Sequence, residues 1–145
     1  MAVTAKWYGL GLSSMALKQI NWDTDDIKVM LCTNGYTPNQ DTHQFKSSVT
    51  NEVAGTGYTA GGLSLVTAAP SYNAGTNTVV LDADDVSWPN STIAARYAIV
   101  YNATPATDAT RPLLGYVDFG QDVSTTAGTF SIVWDAAGVL TISAA

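Results

Sequence analysis

The chain holds a single histidine, His43, and a single cysteine, Cys32, so nucleophilic machinery of the Ser-His-Asp or Cys-His kind has to be built on one of them. His43 stands between Thr42 and Gln44, with no nucleophile motif beside it. Cys32 ends the apolar run Ile27-Lys28-Val29-Met30-Leu31-Cys32. A reactive thiol needs nearby cations to lower its pKa, and only Lys28 is at hand, so Cys32 reads as a buried free thiol. It has no partner for an internal disulfide. Aspartates gather at Asp23, Asp25 and Asp26 and again at Asp82, Asp84 and Asp85. A calcium loop of the EF-hand type needs Gly at its sixth position and Glu at its twelfth. Counted from Asp23 those positions are Lys28 and Asn34. The clusters therefore read as turn and strand-edge residues, with an adventitious calcium site as the alternative. Glu52 is the only glutamate, and glycoside hydrolysis requires two carboxylates facing across a cleft, which sequence spacing does not supply. The glycine-rich segment 55–62 lacks the Gly-Lys-Ser/Thr ending of a phosphate loop. We expect no enzyme, no cofactor and no resident metal.

The aromatic residues invite a different chemistry. Trp7, Trp22, Trp88 and Trp134, with seven tyrosines, could form a sugar-stacking platform, although core and subunit-interface use is commoner for such side chains. Six cations, Lys6, Lys18, Lys28, Lys46, Arg96 and Arg111, are scattered through a chain of net charge −6. A nucleic-acid binder clusters its cations to displace counterions, so nucleic acid is not an expected partner. Apolar residues make up 46% and charged residues 12%, a balance that excludes disorder. No run approaches the length of a membrane span, and the N-terminus lacks the order of a signal peptide, so synthesis in a cytoplasm is expected.

These side chains need elements to position them. At 145 residues the expectation is one domain. Residues 4–20 read as the one helix, with Trp7, Leu10, Leu17 and Met15 or Ile20 on its apolar face, despite the propensity cost of Gly9 and Gly11. Residues 21–26 read as a turn rich in Asn and Asp. Alternation of Ile27, Val29 and Leu31 with Lys28, Met30 and Cys32 predicts a half-buried strand. Further strands are expected near 63–69, 77–83, 94–101, 113–119, 128–134 and 138–143, the last two joined as a hairpin through Asp135-Ala136-Ala137-Gly138. The continuously apolar Ala98-Ile99-Val100-Tyr101 predicts a central strand covered on both faces. The fold class is thus mainly β, a single-domain antiparallel β-sandwich or barrel with one N-terminal α-helix. Two long connections, 33–62 with room for a short helix at 41–47, and 102–112, are the candidate functional loops.

Several segments together resemble a widespread group of small tailed-bacteriophage virion proteins. They are Ala5-Lys6-Trp7-Tyr8-Gly9-Leu10-Gly11-Leu12, Trp22-Asp23-Thr24-Asp25 with Ile27-Lys28-Val29-Met30-Leu31, and Tyr36-Thr37-Pro38-Asn39-Gln40-Asp41. Thr50-Asn51-Glu52-Val53 with residues 55–62, Leu81-Asp82-Ala83-Asp84-Asp85-Val86, Ala95-Arg96-Tyr97-Ala98 and Leu114-Gly115-Tyr116-Val117-Asp118-Phe119-Gly120 follow in order. The resemblance spans nearly the whole chain and carries no catalytic motif. It implies a non-enzymatic virion component, best assigned as a capsid decoration (cement) protein on the outer surface of the capsid. Its implied partner is the major capsid protein, with a homotrimer as a further expectation. A tail, neck or baseplate module, or a carbohydrate-binding host-attachment module, is the alternative. Candidate contact residues are Trp7, Tyr8, Tyr36, Tyr58, Pro105 and Arg111, and loss of the first eight residues is expected to abolish head binding.

Overall fold

A computed structural model describes residues 2–144. In chain order the elements are β1 (Ala2–Val3), β2 (Lys6–Trp7), α1 (Gly9–Ala16), β3 (Ile27–Cys32), β4 (Leu63–Ser64), β5 (Ser71–Asn73) and β6 (Thr78–Leu81). They continue with β7 (Val86–Ser91), β8 (Ala94–Asn102), β9 (Leu113–Ser124), β10 (Gly128–Trp134) and β11 (Leu140–Ser143). Three sheets result, ordered β2-β9-β8-β3-β4, β1-β10-β7 and β11-β6-β5. One continuous apolar cluster joins all three. Ile27, Val29, Leu31, Val100 and Leu114 from the five-stranded sheet meet Leu81, Trp88, Phe130, Ile132, Trp134 and Leu140 from the smaller two. The molecule is a β-sandwich with a single α-helix among the described residues, as the alternation predicts.

The helix differs from expectation in length and in the way it packs. It covers eight residues, and the chain before it is extended. The segment 2–7 ties the sandwich together. β1 runs parallel to β10, β2 runs antiparallel to β9, and the Ala5 amide donates to the Val139 carbonyl at 2.9 Å. The buried helical residues are Gly11 and Ser14, whereas Leu17 is 65% exposed. A Cβ on Gly11 would lie 2.7 Å from the Leu113 carbonyl oxygen, so the glycine permits contact between helix and strand backbones. The helix ends at Ala16 with Leu17 as its cap, and Lys18, at φ 61°, turns the chain out of helical geometry before Ile20.

The remaining differences follow from strand position. β7 escapes the sequence reading because it carries Pro89 and a positive-φ Asn90, features tolerated on an edge strand, and β7 is an edge. β4 and β5 are edge pieces of two and three residues. The expected hairpin between the last two strands does not form. β10 pairs with β7, β11 pairs with β6, and the turn at Gly138 (φ 101°) carries the chain from one small sheet to the other. The expected helix at 41–47 is replaced by a single 3₁₀ turn, Lys46–Ser48.

β3 is buried on both faces rather than half-buried, apart from Lys28. Its second face joins a separate cluster of Tyr8, Met30, Cys32, Tyr36, Ile99, Tyr101 and Leu113. This outer cluster exists because residues 33–53 fold back across the five-stranded sheet. β8 is correspondingly covered on both sides, as its unbroken apolar sequence predicts.

Candidate functional site

The chemistry-bearing side chains converge on that outer face. His43 Nδ1 accepts the Asn39 amide at 3.3 Å and lies 2.8 Å from the Tyr36 hydroxyl, which lies 2.8 Å from the Tyr8 hydroxyl. An Nδ1 that accepts an amide proton leaves the ring proton on Nε2. Tyr36 therefore donates to His43, and Tyr8 donates to Tyr36. Burial, the dominant cause, holds His43 below its ordinary pKa and pushes Tyr36 up to about 12. The only histidine thus fastens the loop through 36–43 over the sheet.

A second latch fastens the next stretch. Glu52 Oε1 accepts the Tyr58 hydroxyl at 2.8 Å and the Gly61 amide at 2.6 Å, while the Tyr58 oxygen accepts the Leu31 amide at 2.9 Å. The Val53 amide donates to the Leu31 carbonyl, and the Thr33 amide to the Asn51 carbonyl, both at 2.9 Å. Cys32 is the expected buried free thiol. Desolvation, with the Glu52 carboxylate adding to it, pushes the thiol up to about 12.

The two candidate loops are joined to each other. Residues Phe45 and Pro112 form a β-bridge, and the Lys46 amide donates to the Arg111 carbonyl at 2.9 Å. Asp108 receives Lys46 Nζ at 3.0 Å on one oxygen and Arg111 Nη1 at 2.9 Å on the other. Lys46, the first cause, and Arg111 hold the Asp108 carboxyl below the usual range. Where the loops meet lies a cavity of about 340 Å³, lined by Asp26, Lys28, Lys46, Glu52, Asp108 and Arg111 around Tyr101. Tyr101 donates to the Gly61 carbonyl at 2.7 Å, and the Lys46 ammonium lies 5.6 Å from its ring centroid. Three of the six cations read as scattered are therefore gathered in space beside three carboxylates, with Asp108 paired to both Lys46 and Arg111.

The six contact candidates separate accordingly. Tyr8 and Tyr36, at 0% and 1% exposure, present no surface to a partner, because their rings fill the outer cluster. Trp7 is half-buried, with Nε1 donating to the Thr141 carbonyl at 2.8 Å. Tyr58 serves the Glu52 latch. Pro105 and Arg111 remain on the loop surface, linked by an Arg111 Nε hydrogen bond to the Pro105 carbonyl at 2.8 Å. A tryptophan stacking platform is also excluded for three of the four indoles, since Trp22, Trp88 and Trp134 are 1%, 3% and 6% exposed in the core. The aspartate clusters cap backbone. Asp25 Oδ2 accepts the Asn21 amide at 2.8 Å, and Asp85 Oδ1 accepts the Trp134 amide at 2.9 Å. Sequence reasoning named Asp26 only within an aspartate cluster, and did not single out Lys28, Lys46, Asp108 or Tyr101 as a site. The one signal available was Lys28 itself, a lone charge in an otherwise apolar strand.

No family model matches this chain, and no curated protein or solved structure matches it either. No helix among the described residues is long and apolar enough to cross a membrane.

Proposed function

We propose that this chain is a non-enzymatic structural protein of a tailed-bacteriophage virion. It is a capsid decoration protein that binds the outside of the major capsid protein lattice and stabilises the head. The ordered series of segments that resembles small virion proteins is one support. The observation that carries the reading is that the residues best suited to chemistry hold the fold together. His43, Glu52 and Tyr58 are engaged in seating residues 33–62 on the sheet, and Cys32 is a free thiol buried in the cluster beneath them. The product is a face of long but anchored loops, and an anchored loop surrenders less conformational freedom on binding than a mobile one. Many copies on one lattice would make modest individual interfaces effective through avidity. A homotrimer is the closed arrangement suited to a threefold lattice position.

Quantitative mass spectrometry of purified virions tests this directly. A copy number comparable to that of the major capsid protein is the expected result. A handful of copies would move the chain to the tail, neck or baseplate, and absence from virions would refute a structural role. Deletion of the first eight residues is a poor test of head binding, because it removes β1, β2 and the fully buried Tyr8. Substitution at Pro105, whose link to Arg111 runs through its backbone carbonyl, read beside a Tm measurement, separates binding from folding.

A further inference from the structure

The charged cavity between the two loops keeps polar atoms that the contacts holding the loops leave unused, and those atoms define a ligand. We infer that it is a binding site for a neutral, hydroxyl-rich ligand, one saccharide unit of a glycan. At about 340 Å³ it falls at the lower end of the roughly 300–1,000 Å³ range of small-molecule sites. Its wall is polar, unlike the apolar wall that selects a hydrophobic ligand.

The hydrogen-bond inventory narrows the chemistry. Asp108 is satisfied on both oxygens by Lys46 and Arg111. The side-chain ammonium of Lys28, whose strand neighbours are Ser64 and Tyr101, has no hydrogen bond or ion pair among the described residues. Glu52 uses Oε1 for both of its hydrogen bonds, and Asp26 uses Oδ1 to accept the Ser64 hydroxyl at 2.7 Å. Open donors on Lys28 and Arg111 thus share one cavity with open acceptors on Glu52 and Asp26. Three cations and three carboxylates sum to zero. A net anion would meet Glu52 and Asp26, and a net cation would meet Lys28, Lys46 and Arg111, each with a desolvation cost. A sugar hydroxyl donates to a carboxylate while accepting from an ammonium or guanidinium, so vicinal hydroxyls satisfy both sets without carrying charge.

This site is independent of the decoration reading, because saccharide binding is measured on the purified chain and copy number on the virion. The test is amide chemical-shift titration of the ¹⁵N-labelled protein with methyl glycosides of glucose, galactose, mannose and N-acetylglucosamine. Glycine and inorganic phosphate serve as the zwitterionic and anionic probes. At least one glycoside is expected to shift Lys28, Ala60, Gly61 and Ala103 together, with a dissociation constant of roughly millimolar order. Lys28→Met removes the unpaired donor, and Asp26→Asn keeps the acceptor for Ser64 while removing the charge. Each is expected to weaken binding roughly tenfold or more with the rest of the spectrum unchanged. Absence of localised shifts with all four glycosides at about 50 mM would overturn the assignment. So would shifts at these residues from glycine or phosphate alone, or binding that both variants leave intact.

Discussion

Gly62 and Gly120 offer a matched experiment on whether residues 33–62 are clamped to the sheet. Both adopt left-handed backbone, at φ 77° and φ 80°. Around Gly120 nothing lies within 4 Å of where a Cβ would stand. At Gly62 a Cβ would overlap the Val29 carbonyl oxygen and come within 2.7 Å of Met30 Cα. Gly120→Ala therefore carries only the conformational cost of a left-handed non-glycine residue, about 1–2 kcal/mol, partly offset by about 0.4–1 kcal/mol from a stiffer unfolded chain. Gly62→Ala carries the same cost and must also lift the strand start away from β3. That strains or breaks the Lys28–Ser64 and Val29–Leu63 pairing and loosens the buried Leu65 beyond it. Loss of one or two backbone hydrogen bonds at about 0.5–1.5 kcal/mol each, plus partial exposure of a leucine, adds about 2–4 kcal/mol. At this chain length about 1 kcal/mol moves Tm by about 3 °C. Gly120→Ala should therefore fall by about 3 °C and Gly62→Ala by about 10 °C or more, with a urea midpoint shift in the same order. Thermal unfolding followed by near-ultraviolet circular dichroism reads both, since three buried indoles report tertiary packing. Equal shifts in the two variants would refute the close approach, and with it the view that this connection is part of the core.

Tyr36→Phe leaves the buried Tyr8 hydroxyl without its acceptor, and should cost about 1–3 kcal/mol in urea unfolding while Tyr97→Phe costs less. His43 titrates below its ordinary value in the fold, so the unfolded chain binds the proton first as pH falls. The contribution of neutral His43 is therefore complete above about pH 6.5 and declines below it until the folded pKa is reached, a slope in Tm that His43→Gln should flatten. The lowered carboxyls Asp108 and Asp118 act in a separate window, their stabilisation being lost only as pH falls below the ordinary aspartate value of 3.8. Cys32, buried and pushed up to about 12, should react with a thiol-specific disulfide reagent only at the rate of opening, and immediately in denaturant.

Local pattern determined much of this molecule. Alternation located β3, β6 and β10, because a side-chain period of two is a property of the strand itself. The unbroken apolar run 98–101 announced a strand covered on both faces, and Cys32 announced a buried thiol. Tertiary contacts decided the rest. Gly11 looks like a poor helix residue until the helix is seen resting on the β9 backbone. β7 looks like a loop until it is seen to be an edge strand that tolerates proline. Tyr8 and Tyr36 have the composition of contact residues, and only the folded loop shows that they lie beneath it. The charged cavity was invisible for the same reason. Asp26 and Lys28 lie far along the chain from Asp108 and Arg111, and side chains that distant become neighbours only when two loops are bridged at Phe45 and Pro112. Sequence records the type and period of each residue, whereas a site made of charges from four separate segments depends on the register of the sheet that assembles them.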